Sequence, residues 1–135
     1  MEIAVDGRTR SKKFIEAMLP SMVRQLGLER CRKALLIRVA NECDGEAGLT
    51  VDMSKWTGAY LVVLTPNRNL VELGLSLAHE LVHVKQLASG VLKQLRSGHT
   101  WAGKRYSKKT PYLDQPWEID AFSRQELIFR RAIVE

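Results

Sequence analysis

Cysteine is scarce in this chain of 135 residues: Cys31 and Cys43 are the only two, and neither has a CxxC partner. That excludes a disulfide scaffold and points to free thiols in a reducing compartment. Four prolines and nine glycines are too few for a collagen-like or low-complexity chain. No long hydrophobic run is present either. The longest is Tyr60–Leu64, far short of the roughly 20 residues that a membrane span needs. The first residues, Met1–Asp6, carry no basic stretch and no apolar core of a secretory leader. What remains is ordinary globular composition, 45% hydrophobic and 27% charged. The expectation is one soluble cytoplasmic domain spanning 1–135, large enough to hold a core without staples.

The charge is unbalanced, with 21 Lys and Arg against 15 Asp and Glu. Basic residues gather at 8–13, 30–33, 93–96, 104–109 and 130–131. Such a balance offers an anionic partner, nucleic acid first, as contact through the basic 93–109 loop. No helix-turn-helix or zinc-finger pattern accompanies it, so sequence readout is not expected.

Hydrophobic periodicity orders the elements. Phe14, Met18, Met22 and Leu26 recur every fourth residue, which predicts an amphipathic helix over 12–27. Ser11 would cap it, Gly27 would stop it, and Pro20 would kink or break it. Three short segments follow, Ala34–Ala40, Leu49–Met53 and Tyr60–Leu64, punctuated by Gly45, Gly48 and Gly58. They read as three strands, the last two a hairpin. Leu49, Val51 and Met53 alternate with Thr50 and Asp52, which predicts one buried face there. A long helix is expected over Arg68–Ala88, ending at Gly90. Residues 91–115 read as a long polar loop, and a last helix starts at Pro116. The fold class is thus α+β.

Chemistry concentrates at His79-Glu80-Leu81-Val82-His83. On a helix, residues four apart stand one turn apart on the same face, so both imidazoles can reach one ion. Glu80 lies about 100° round the helix, out of place as a ligand but placed to act as general base on a water. Glu72, Ser76, His79, His83 and Gln86 form one narrow polar stripe on an otherwise apolar helix. A buried polar stripe is costly unless something satisfies it, and a metal with its ligands would. A catalytic zinc site needs a third protein ligand. Glu118, in the first turn of the last helix, is the first choice, with Asp120 and His99 behind it. The bland alternative is a metal-free helix with two histidines.

HELVHVKQ, then WAGKRY, then Tyr112, then PWEIDAF together resemble the gluzincin branch of zinc metallopeptidases. The pattern is similar to small metallopeptidases encoded by phage and mobile-element genomes, and more distantly to SprT-like and ImmA/IrrE-type minimal zincins. It covers about 60–125. The resemblance implies a minimal zincin: a helix and a small mixed sheet over the active-site helix, with an edge strand that holds an extended peptide substrate. It implies one Zn2+ on His79, His83 and Glu118, Glu80 as catalytic base, and Glu118-Ile-Asp-Ala121 as the ligand-bearing stretch. An electrophile for the oxyanion would come from Tyr106, Tyr112 or His99, with Tyr106 ranked first. Many gluzincins carry Asp or Asn where Phe122 stands, to brace a ligand histidine. Here that task falls to Asp120, Glu72 or a backbone carbonyl. A zinc domain without catalysis, binding DNA or protein through its basic surface, is the competing expectation.

Overall fold

The computed structural model describes residues 1–41 and 45–135, and the second cysteine, Cys43, lies outside them. Cys31 is a free thiol. The order is β1 (Ile3–Asp6), α1 (Thr9–Gln25), β2 (Ala34–Val39), β3 (Gly48–Asp52), α2 (Ser54–Thr57), β4 (Ala59–Leu64), α3 (Leu70–Ser89), β5 (Leu92–Leu95), β6 (Gly98–Trp101), β7 (Lys104–Ser107), a 3₁₀ turn (Tyr112–Asp114) and α4 (Pro116–Val134). The α+β class holds.

The main sheet has four strands in the order β1-β2-β4-β3, one more than the sequence predicts. The added strand β1 pairs parallel to β2. Only four residues long, it buries half of Ile3 and Val5 and leaves Ala4 and Asp6 exposed. β2 and β4 are parallel, and β3 and β4 form the expected antiparallel hairpin, joined through α2. One row of side chains crosses the sheet from Val5 to Ile37, Val62 and Thr50. This row faces the helices, which bury Ile37 and Val62 completely.

β3 is an edge strand, and its phase is opposite to the expectation. Thr50 is buried, whereas Val51 is 38% exposed. The reason is α3: the polar phase of β3 faces that helix and serves a buried polar group there, so the apolar phase turns outward.

α1 starts earlier than predicted, and Arg8 rather than Ser11 precedes it. It runs through Pro20 without a break. Pro20 is exposed, so the hydrogen bond its ring nitrogen cannot make is lost on the solvated side. Gly27 does stop the helix, with φ of +66° and the Leu28 N–H bonded back to the Val23 carbonyl at 2.9 Å. α3 begins at Asn69, whose side chain accepts from the Val71 and Glu72 N–H groups, and ends at Gly90 in the left-handed region.

Residues 91–115 are not a plain loop. They form a three-stranded antiparallel sheet, β5-β6-β7. Ala102 and Gly103 both have positive φ, which suits the two-residue turn between β6 and β7. Gly98 is required because a Cβ there would run into the Tyr106 carbonyl oxygen. Among the described residues no helix is long and apolar enough to cross a membrane.

Candidate metal centre

α3 is buried from Leu77 to Val84; on its polar stripe His79, His83 and Gln86 are each under a tenth exposed, as is the neighbouring Glu80, whereas Glu72 is exposed and Ser76 half-buried. His79, Glu80 and His83 form a buried group able to hold a metal ion. The two rings stand edge to face, 4.8 Å apart at their centres.

α4 crosses α3 so that its first turn faces this group. Pro116 at the start pre-sets the helical φ. Glu118 Oε1 then lies 2.8 Å from His79 Nε2 and 3.1 Å from His83 Nε2. Gly74 permits the close crossing, since a Cβ there would sit 2.6 Å from Phe129 Cδ1.

The far nitrogens of both rings are tied down. His79 Nδ1 is 2.8 Å from Gln125 Oε1, and His83 Nδ1 is 2.8 Å from Gln86 Oε1. Gln86 Nε2 donates to the Trp117 carbonyl at 3.0 Å and to Asp120 Oδ2 at 2.9 Å. Two acceptors on that nitrogen settle which way the amide points, so His83 Nδ1 must be the donor. The Nδ1–H tautomer leaves the Nε2 lone pair facing Glu118. The His83 Nε2 lone pair, the His79 Nε2 atom and a carboxylate oxygen thus meet at one place, a donor set that fits a cation such as zinc. In the metal-free protein a proton takes that part. Burial lowers the His83 pKa, but the hydrogen bond and charge of Glu118 outweigh it and hold it raised. Burial likewise favours the neutral Glu118 acid, yet the two histidines outweigh it and hold the carboxyl at about 2.

The Glu80 carboxylate stands beside the two histidines, its ligand atom within 4.8 Å of theirs, and also reaches β3. Its Oε1 accepts from Thr50 Oγ1 at 2.8 Å, and Gly48 leaves room for it, since a Cβ there would come within 3.2 Å of Glu80 Oε2. Burial pushes the Glu80 carboxyl up, against the pull of His83 and the Thr50 hydrogen bond.

The remaining sequence candidates separate. Tyr112 donates its hydroxyl to Glu118 Oε1 at 3.2 Å and lines the cleft. Burial and the Glu118 carboxylate push its phenol well up, so it stays protonated. Tyr106 packs edge-on against Trp117, with ring centres 5.6 Å apart, and is not among the residues lining the cleft. His99 stacks on the same Trp117 at 4.4 Å and lines the cleft beside Glu118. Asp120 braces His83 only through Gln86, and Glu72 bonds instead to Asn67 Nδ2 at 2.7 Å. Phe122 covers the His79 ring at 4.5 Å as an apolar wall. Beside His79 and Glu80 opens a second cavity of about 570 Å³ between α3, α4 and the start of β3.

Thr50, Gln125 and the bracing role of Gln86 are absent from the sequence reading. Gln86 was visible on the polar stripe, and Gln125 follows Glu118 by two helical turns. Thr50 had no signal beyond its place in strand alternation. No family model, curated protein or solved structure matches the chain.

Proposed function

We propose that this chain is a zinc-dependent metallopeptidase, with His79, His83 and Glu118 as metal ligands and Glu80 as general base. One observation carries the reading: two histidines, His83 with its tautomer fixed by Gln86, and the Glu118 carboxylate come together at 2.8 and 3.1 Å inside an open cleft. Zinc held there would supply Lewis-acid polarisation of a peptide carbonyl and a lowered pKa for an attacking water.

The chain's own residues do the rest. Glu80 takes the proton of the attacking water and passes it to the leaving amine, and its burial raises the carboxyl towards the range a base needs. Thr50 steadies that carboxylate. Tyr112, kept protonated beside the ligand cluster, is the donor for the developing oxyanion, a role the sequence alone assigned first to Tyr106. The substrate is a protein or peptide laid along the edge of β3.

Elemental analysis of the purified protein is expected to find about one zinc per chain. Glu80→Gln is expected to keep the metal and lose peptide hydrolysis by at least about 100-fold. A folded chain that refuses zinc, or a Glu80→Gln variant that cleaves like its parent, overturns the reading.

A second reading draws on one feature. Lys93, Thr100 and Arg105 stand in register across β5-β6-β7, on the face opposite His99. A non-catalytic zinc domain would use this basic face on nucleic acid, with binding that falls steeply with salt and ignores Glu80→Gln.

A further inference from the structure

The free edge of β3 is not open along its whole length. Leu49 and Val51 direct their backbone groups towards β4, so Gly48, Thr50 and Asp52 direct theirs outward. Two of those outward groups are already taken by one side chain. Gln94, from β5, donates its Nε2 to the Thr50 carbonyl at 2.9 Å and accepts from the Asp52 N–H on its Oε1, also at 2.9 Å. A carboxamide has the same donor and acceptor as a peptide group, so Gln94 supplies the two bonds that a neighbouring strand would make there.

The placement follows from the second sheet. Gln94 shares the phase of buried Leu92 and, although exposed itself, lies on the cleft side of the strand in register with His99. Gln94 also lines the same cleft as His79, His83 and Glu118. The clamp therefore stands at one end of the peptide-binding edge. Among the described residues, the Gly48 backbone and the Thr50 N–H carry no hydrogen bond across this edge.

We propose that Gln94 is a specificity-determining stop that ends strand pairing at Thr50. This rests on the peptidase reading above. A peptide pairs best antiparallel to an edge strand, which puts its N-terminal side towards Asp52. It can exchange both bonds with Gly48 and give one carbonyl to the Thr50 N–H. Its next N–H finds the Thr50 carbonyl occupied, and Asp52, about 7 Å further along, is sealed as well. The enzyme thus reads only a short stretch on the N-terminal side of the scissile bond, and longer chains must leave the strand at Gln94.

Alanine peptides of one to five residues ending in a C-terminal hydroxamate test this. The hydroxamate anchors on the metal of the zinc-loaded Glu80→Gln chain, and each added residue extends towards Asp52. Affinity is expected to stop rising after two or three residues. With Gln94→Ala added, it is expected to keep rising, by about tenfold over the next two residues as the freed bonds are made. Amide exchange gives a second readout. The Asp52 N–H should exchange slowly in the Gln94 chain, fast in Gln94→Ala, and slowly again when the longest peptide binds. Superimposable length profiles with zinc and hydroxamate bound overturn this inference alone, as does zinc binding without hydroxamate affinity. Failure to bind zinc overturns the peptidase reading and this inference with it.

Discussion

Gln86→Glu replaces one NH2 group by an oxygen and leaves the shape of a 2% exposed side chain unchanged. In the parent, that NH2 donates to the Trp117 carbonyl and to Asp120 Oδ2, while the amide oxygen receives His83 Nδ1–H. The substitution keeps the third bond and turns the first two into contacts between acceptors. A buried hydrogen bond left unmade costs about 1–3 kcal/mol, so two put the range at about 2–6 kcal/mol. Asp120 is 32% exposed and lies 3.6 Å from Arg124, which damps the repulsion. The expected loss is therefore about 2–4 kcal/mol, read from denaturant unfolding of the metal-free protein. Zinc affinity, measured by competition with a chelator, should fall about 10- to 100-fold, because the brace also places the His83 ring. Acidification should shrink the defect, since a protonated carboxyl regains one donor. Unchanged stability and affinity, or a defect that grows as pH falls, would refute the assigned amide orientation and with it the fixed tautomer of His83.

Glu118→Ala should weaken zinc binding far more than His99→Ala, and the opposite order in a chelator titration would move the third ligand to His99. Gly74→Ala should destabilise by up to about 2 kcal/mol, since overpacking against Phe129 outweighs the gain in helix propensity. Phe129→Leu should then relieve the clash in the double variant, and a cycle with no coupling would contradict the observed crossing. For the metal-free protein, the Glu118 carboxyl is held at about 2 against a usual 4.5, so its contribution is present above about 4.5 and drains away as pH falls towards 2. His83 is raised above its usual 6.5, so its contribution is present below that value and is lost as pH rises through the raised one. Unfolding curves should therefore show this pair contributing most between about 4.5 and 6.5, while zinc affinity should increase with pH as the competing proton leaves.

Much of this was legible before any coordinates. The stripe from Glu72 to Gln86 needed only helical geometry, and it announced both a buried helix and a cluster on one face. Glu118 followed from Pro116 and the first-turn preference for an acid. Other parts depended on partners far away in sequence. β1 is four residues whose pairing comes from β2, and β5-β6-β7 are four-residue strands with too few apolar positions to show a period. The phase of β3 misled because its burial is set by Glu80, thirty residues away, rather than by its own leucine and valines. Tyr106 and Tyr112 are equivalent as residue types. Only the packing of Trp117 separates them, occupying Tyr106 and leaving Tyr112 at the cleft. Amide braces such as Gln86 and Gln125 are quiet in any sequence, because glutamine is at home on any helix surface.

Thr50 joins two tasks that are usually kept apart. Its hydroxyl bonds the Glu80 carboxylate, the proposed proton acceptor, and its main chain belongs to the rim along which a polypeptide would lie. Side chain and backbone leave a strand at right angles, so a single residue can touch both without conflict. A tug on the rim would be felt at the carboxylate one residue's breadth away. Correct seating of the incoming chain and readiness of the proton acceptor would then be a single mechanical event, and a misaligned chain would meet an acceptor held out of true.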